Sequence, residues 1–163
     1  MGKLKVGIVG CGGIANQKHM PSITKSGLAD IVAFCDLVPE RAELAAKEYG
    51  APGAKVYGSY KELVAEKLDA VYVCTPNRSH CEISIAALRA GRNVLCEKPM
   101  AINYAEAQAM CAAAKESGRL LTIGYQSRYR PDSQYLKKEC ENGVLGEIYY
   151  ARAKAIRRRA VPT

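Results

Sequence analysis

The stretch LKVGIVGCGGIA at residues 4–15 joins an apolar run to a cluster of glycines. The run 6–9 predicts a buried strand, and the cluster predicts a tight turn followed by the start of a helix. Gly10, Gly12 and Ala15 have the spacing of a dinucleotide-binding turn, in which the first glycine allows the turn, the second lets the backbone approach a pyrophosphate, and the third small residue packs helix on strand. We therefore predict a dinucleotide site formed by Gly10, Gly12, Gly13 and Ile14.

An acidic residue follows the second apolar run, at residues 31–35. Asp36 stands 21 residues beyond Ala15, where a dinucleotide turn needs an acceptor for the ribose hydroxyls. A carboxylate there favours NAD over NADP because it repels a 2′-phosphate, although Arg41 close by leaves NADP possible. Two simpler interpretations stay open: the glycines form a plain tight turn, and Asp36 caps the helix that starts at Pro39.

The composition is that of an ordinary globular protein. Its 163 residues suffice for one domain with a sizeable core. No apolar run is long enough to cross a membrane and the N-terminus has no signal-peptide pattern, so we expect a cytoplasmic protein with no membrane partner.

The seven cysteines include no Cys-x-x-Cys pair, which favours free thiols over disulfides or a zinc site. Cys11 lies in the glycine turn, where a helix N-terminus lowers a thiol pKa; the simpler alternative is a small spacer. Burial is expected for the cysteines in apolar segments, which are Cys35, Cys74, Cys96 and Cys111.

Most of the net charge of +8 comes from the end of the chain. The rest of the chain carries 19 basic against 16 acidic side chains. This location favours a solvated strand end or a face meant for another domain, so we expect no nucleic-acid partner. The basic residues after residue 150, with no acid among them, are Arg152, Lys154, Arg157, Arg158 and Arg159.

Short apolar runs alternate with helical segments as far as residue 124. Pro21 is expected to kink or restart the first helix. No hairpin signal occurs, so the pattern predicts an α/β fold with a doubly wound parallel sheet of the Rossmann type in the order 3-2-1-4-5-6. The predicted strands lie near residues 6–9, 31–35, 55–57, 70–74, 93–96 and 119–124.

The pattern changes after residue 125. A polar turn is predicted first, then a helix over 132–142, then one long strand from Gly146 to Arg157 with mixed polar and apolar faces. Such a strand needs partners that the sequence does not supply. We therefore expect residues 1–125 to form the nucleotide-binding domain and 126–163 to form a linker helix and the first strand of a truncated second α+β domain.

Four groups of residues resemble the motifs of the Gfo/Idh/MocA oxidoreductases. They are the glycine turn with Asp36, TPNRSH at 75–80, EKP at 97–99 and GYQSRYRP at 124–131. The resemblance covers nearly the whole chain. It implies an NAD(P)-binding Rossmann domain joined to a substrate domain, in members that transfer hydride between the nicotinamide and a hydroxyl-bearing carbon of sugars, inositols or related polyols.

The resemblance also implies roles for individual residues. Lys98 is the implied catalytic residue, contacting the reacting oxygen, and the alternative is a surface lysine paired with Glu97. For His80 the alternative to a pocket role is a hydrogen-bonded residue in the first turn of a helix, and His19 is expected to be structural. A cis peptide before Pro99 is implied, an ordinary trans bond being the alternative. Implied cofactor contacts beyond the glycine turn and Asp36 are Thr75, Pro76, Asn77, His80, Glu97, Lys98 and Gln126.

Three functions are compatible with the sequence. The first is an NAD-dependent or NADP-dependent dehydrogenase of a sugar or polyol, homo-oligomeric in full-length form, whose second domain would add a catalytic histidine. The second is a non-catalytic nucleotide-binding sensor or interaction module. The third, nucleic-acid binding through the basic C-terminal residues, ranks last.

Overall fold

The computed structural model describes residues 2–156, and the chain divides after Tyr125 into two units. In the first unit, six strands form one parallel sheet in the order β3-β2-β1-β4-β5-β6. The predicted strand order and the doubly wound parallel sheet are therefore confirmed. The strands are β1 Leu4–Val9, β2 Ala29–Cys35, β3 Gly50–Tyr57, β4 Ala70–Val73, β5 Asn93–Cys96 and β6 Leu121–Ile123.

Helices connect the strands of this sheet. The first helical segment contains a wide π turn, Ala15–His19, and continues as a regular helix in which Pro21 occupies the first turn. The winding therefore changes next to Pro21, where a kink or a restart is predicted, and the N–H of Met20 closes the π turn by donating to the Ala15 carbonyl. The regular helices of the unit are α1 Met20–Ser26, α2 Pro39–Tyr49, α3 Tyr60–Ala65, α4 His80–Arg89 and α5 Tyr104–Ser117.

The core consists of two clusters of buried side chains. One joins Ile8 and Phe34 of the sheet to residues of α1 and α2, among them Met20. The other joins Val71 and its strand neighbours to residues of α3, α4 and α5. Parallel strands covered by helices on both faces are apolar where they are buried, which is why residues 6–9 of β1, residues 31–35 of β2 and the whole of β4 are continuous apolar runs in the sequence.

The described part of the second unit, residues 126–156, contains a short 3₁₀ turn, Gln126–Tyr129, and one helix, α6 Pro131–Glu141. The predicted strand from Gly146 to Arg157 is wrong over its described part, because residues 146–156 contain no strand. A strand requires a partner for its backbone hydrogen bonds, and no other strand is present in the described part of this unit. Residues 157–163, with the arginines 157–159, lie outside the described residues. Between residues 2 and 156, no helix combines the length and apolar character that a membrane crossing needs.

Candidate dinucleotide-binding site

A cleft of about 660 Å³ opens where β1, β2, β3 and β4 end. In an open parallel sheet, ligands bind in the crevice outside the carboxyl ends of the strands, on either side of the point where strand order reverses. The cleft lies on this point, because β1 has β2 on one side and β4 on the other. Its lining includes Gly10, Gly12, Asp36, Arg41, Thr75 and Pro76.

The glycine turn after β1 forms one wall of the cleft. Gly10 has a φ of 92°, and a Cβ there would lie 2.7 Å from the carbonyl carbon of Cys74. At Gly12 a Cβ would meet nothing within 4 Å, so the space in front of this backbone is open to a ligand. Asn16 stabilises the turn, because its side-chain amide donates to the carbonyls of Cys11, at 2.6 Å, and Gly12, at 3.0 Å. The turn therefore fits the close approach of a pyrophosphate.

Asp36 accepts backbone N–H groups from the glycine turn and from the start of α2. Its Oδ2 accepts the N–H of Cys11 at 2.8 Å, and its Oδ1 accepts the N–H of Val38 at 2.9 Å. The N-cap of α2 is Val38 and has no side-chain capping bond, so the alternative in which Asp36 is the N-cap is wrong. Each carboxylate oxygen has a second lone pair, which leaves Asp36 able to accept hydroxyl groups from the cleft.

Cys11 is a buried spacer in the glycine turn. Burial, reinforced by the neighbouring Asp36 carboxylate, raises the pKa of its thiol to about 12. The suggested lowering of this pKa by the helix start is therefore wrong: desolvation of the thiolate outweighs it. Cys35, Cys74 and Cys96 are buried as predicted, whereas Cys111 is exposed on α5, and all seven thiols are free.

The segment after β4 forms the opposite wall. Thr75 and Pro76 line the cleft, and Ser79 Oγ lies 2.9 Å from both the Thr75 hydroxyl and the Pro76 carbonyl. Ser79 thereby fixes the turn in which these two residues face the cleft. Asn77 begins a 3₁₀ turn and is not part of the lining, so its contact with a cofactor stays a prediction.

His80 is buried beneath the cleft and is not part of its lining. Its Nδ1 lies 2.7 Å from the Pro99 carbonyl and its Nε2 lies 2.8 Å from the Thr75 carbonyl. The ring thus connects the segment after β4 with the segment after β5. This placement favours the hydrogen-bonded alternative, and a cofactor contact by His80 stays a prediction.

The segment after β5 carries Glu97 and Lys98. Glu97 is buried: its Oε1 accepts from His19 Nε2 at 2.8 Å and its Oε2 accepts the Lys98 N–H at 3.0 Å. The alternative in which Lys98 pairs with Glu97 through its side chain is wrong, because the Glu97 side chain bonds to His19 and makes no ion pair with the Lys98 amine. The Lys98 side chain is exposed and makes no ion pair within residues 2–156. The Lys98–Pro99 peptide is cis.

The remaining predicted residues lie outside the cleft lining. Gly13 and Ile14 are exposed at the start of the first helical segment, and Gln126 belongs to the second unit. Their cofactor contacts stay predictions.

Sequence reasoning missed several lining residues. Ser59 and Tyr60 follow β3, whose carboxyl end meets the same edge of the sheet. The rule that ligands bind at the carboxyl ends of parallel strands would have indicated both residues. Burial and a hydrogen bond to Glu82 raise the pKa of Tyr60 to about 12, so this hydroxyl remains a donor to the Glu82 carboxylate. The missed lining residues with polar side chains are Ser59, Tyr60, Arg78 and Ser79.

These features together define a Rossmann domain that binds a dinucleotide: the reversed strand order, the glycine turn, the acid after β2, and open space before Gly12. The sequence profile described as an oxidoreductase family with an NAD-binding Rossmann fold, Gfo/Idh/MocA, matches residues 4–125. The chain belongs to this family of oxidoreductases.

Two curated relatives illustrate the likeness. The chain is 39% identical over 160 residues to the D-glucoside 3-dehydrogenase of Escherichia coli K12, an alignment covering 98% of this chain and 45% of the relative. It is 38% identical over 146 residues to the inositol 2-dehydrogenase/D-chiro-inositol 3-dehydrogenase of Lactiplantibacillus plantarum, covering 88% of this chain and 41% of the relative. The chain thus spans less than half the length of these two enzymes.

A solved structure shows the same arrangement. A 3-ketoreductase from Actinomadura kijaniata, solved in complex with NADP and TDP-benzene, superposes with a TM-score of 0.80 at 30% identity. The superposition covers 90% of this chain and 44% of the reductase chain.

Proposed function

We propose that this chain is the cofactor-binding part of an NAD(P)-dependent dehydrogenase that acts on a hydroxyl-bearing carbon of a sugar, inositol or related polyol. The observation that carries the proposal is the cleft at the switch point of the sheet, with the glycine turn and Asp36 on its walls. The printed activities of the two curated relatives support the substrate class. Because those relatives are enzymes, they favour a dehydrogenase over the sensor or interaction module.

Lys98 is the proposed catalytic residue. It extends from the carboxyl end of β5, which pairs with β4, so it lies at the same edge of the sheet as the cleft. A bound nicotinamide dinucleotide supplies the hydride acceptor or donor. The Lys98 amine hydrogen-bonds the substrate oxygen and stabilises the negative charge that develops there.

Cofactor preference is assigned to Asp36 and Arg41. The Asp36 carboxylate favours the ribose hydroxyls of NAD, while the Arg41 guanidinium in the same cleft tolerates the 2′-phosphate of NADP. We infer NAD as the preferred cofactor and NADP as a weaker one.

Three further properties are proposed for the full protein. The seven free thiols are suited to a reducing compartment, which supports a cytoplasmic location. The full-length enzyme is proposed to be a homo-oligomer without a nucleic-acid partner, and light scattering of that enzyme measures its mass.

Fluorescence titration with NADH and NADPH tests the cofactor assignment. We expect the wild-type chain to bind NADH more tightly, and Asp36→Asn to weaken NADH binding about tenfold while NADPH binding improves, because charge-assisted hydrogen bonds are lost and repulsion of the phosphate is relieved. Asp30→Asn is the matched control, since this exposed carboxylate lies at the opposite end of β2 and pairs with Lys3. Absence of binding of either nucleotide to the wild type contradicts the proposal.

A further inference from the structure

The Glu97 carboxylate is enclosed where the carboxyl ends of three neighbouring strands meet. It is 7% exposed and follows β5 directly. The backbone of Gly124, after β6, leaves no room on that side, because a Cβ there would lie 3.1 Å from Glu97 Oε1. The ring of Tyr72 on β4 packs edge-on against His19, with centroids 5.6 Å apart. Glu97 is therefore held in one orientation.

Both oxygens of this carboxylate are committed to hydrogen bonds. His19 Nε2 donates to Oε1 at 2.8 Å, and the Lys98 backbone N–H donates to Oε2 at 3.0 Å. Neither bond reaches the cleft lining, so the pair acts on the segment that carries Lys98 and not on a ligand directly. A buried carboxylate that loses one donor is destabilised and turns towards water, which would release the other donor.

The position of His19 depends on the glycine turn. His19 is the last residue of the π turn Ala15–His19, which begins three residues after Gly12. The side chain that fixes Glu97 is thus supplied by the same segment that forms the first wall of the cleft.

We propose that His19 is a positioning residue which, through Glu97, fixes the backbone of Lys98 at the edge of the sheet where the cleft opens. The importance of this placement for hydride transfer rests on the proposed function. The placement itself is a property of the folded chain and is measured without cofactor or substrate.

Amide hydrogen exchange of Lys98, followed by NMR on the full chain, tests the proposal. In the wild type the Lys98 amide is protected, and in His19→Ala its exchange rate rises at least about tenfold, because a bond to a charged acceptor is lost. His19→Gln keeps an N–H donor at similar reach and restores protection. Gln17→Ala is the matched control, since Gln17 is exposed on the same turn.

The amide of Val94, which is buried in β5, distinguishes a local release of the Lys98 N–H from a loss of stability of the whole fold. The exchange rate of Val94, whose N–H donates to the Leu120 carbonyl, stays within about twofold of wild type in every variant if the effect is confined to Lys98. Unchanged exchange of Lys98 in His19→Ala, or equal acceleration of Lys98 and Val94, overturns the proposal. If His19→Ala does not fold, the variants His19→Gln and His19→Asn test the proposal instead. The Lys98 amide is expected to stay protected with the longer glutamine side chain and to lose its protection with the shorter asparagine.

Titration of the wild type with NADH keeps this proposal separate from the proposed function. Failure of the wild type to bind NADH ends the assignment of the cofactor, whereas the exchange of Lys98 still decides the role of His19. Conversely, normal NADH binding with an unprotected Lys98 amide in the wild type ends the positioning role alone.

Discussion

Gly10 and Gly12 stand two residues apart in one turn, and the structure requires them for different reasons. Gly10 combines a left-handed backbone with close contact to the segment after β4, so it is required for folding. Gly12 has open space before it, so it is required for a ligand to approach. The shared spacing pattern in the sequence does not separate these two requirements.

Alanine substitutions distinguish the two glycines. We expect Gly10→Ala to lower the free energy of unfolding by roughly 1–3 kcal/mol, because a side chain at this φ is strained and the Cβ meets Cys74. Gly12→Ala is expected to leave stability unchanged and to weaken NADH binding about tenfold or more, because its Cβ occupies the space for the phosphates. Urea denaturation and NADH titration of both variants measure the difference, and equal stability losses would contradict it.

Single residues of the site were predictable where their roles depend on neighbours in the sequence. The glycine turn and Asp36 follow strands directly, so a spacing rule finds them. The partner of Glu97 was not predictable, because His19 lies 78 residues away and only the pairing of β1 with β4 and of β4 with β5 brings the two together. Long-range pairs of this kind leave no local pattern.

At the scale of elements, α5 shows how local chemistry sets the bounds of a helix. Asn103 Oδ1 accepts the Glu106 N–H at 2.9 Å and caps the first turn, and Gly118 ends the helix with a φ of 64°. From the sequence, an asparagine before this alanine-rich run and a glycine after it predict both bounds, and the structure confirms them. A cap residue satisfies an N–H group that the helix itself leaves unpaired, which is why its identity is informative.

Removal of this cap has a measurable cost. We expect Asn103→Ala to lower the free energy of unfolding by about 1 kcal/mol without changing NADH binding, because Asn103 is outside the cleft. Glu116→Ala, an exposed position in the last turn of α5, serves as the control. Thermal melts and urea titrations make the comparison; equal losses from both changes would argue against a specific capping contribution.

The failure of the strand prediction at 146–156 belongs to this scale as well. Alternating side chains there satisfy the pattern of a strand, but a strand forms only when another backbone completes its hydrogen bonds. By contrast, β3 is rich in glycine and alanine and weak as a pattern, yet it forms because β2 pairs with it. Where the local propensity is ambiguous, the presence of a pairing partner therefore decides whether a strand forms.

At the scale of the whole molecule, the first unit holds the entire sheet and every residue that lines the cleft. We therefore expect a fragment of residues 1–125 to fold and to bind NADH within about tenfold of the affinity of the full chain, although it lacks the contact predicted for Gln126. Circular dichroism and the same fluorescence titration test this. A fragment that is unfolded, or that binds more than about tenfold more weakly, would contradict the assignment of the cleft to one unit.

The π turn at Ala15–His19 also restricts how the chain can change in length. Its hydrogen bonds span one residue more than those of a regular helix, so deleting one residue there would restore ordinary winding. Each residue of an α-helix advances by about 100°, and such a deletion would rotate the imidazole away from its carboxylate. Insertions and deletions are tolerated in many surface loops, but between Gly12 and His19 a change in the number of residues would move the imidazole away from Glu97.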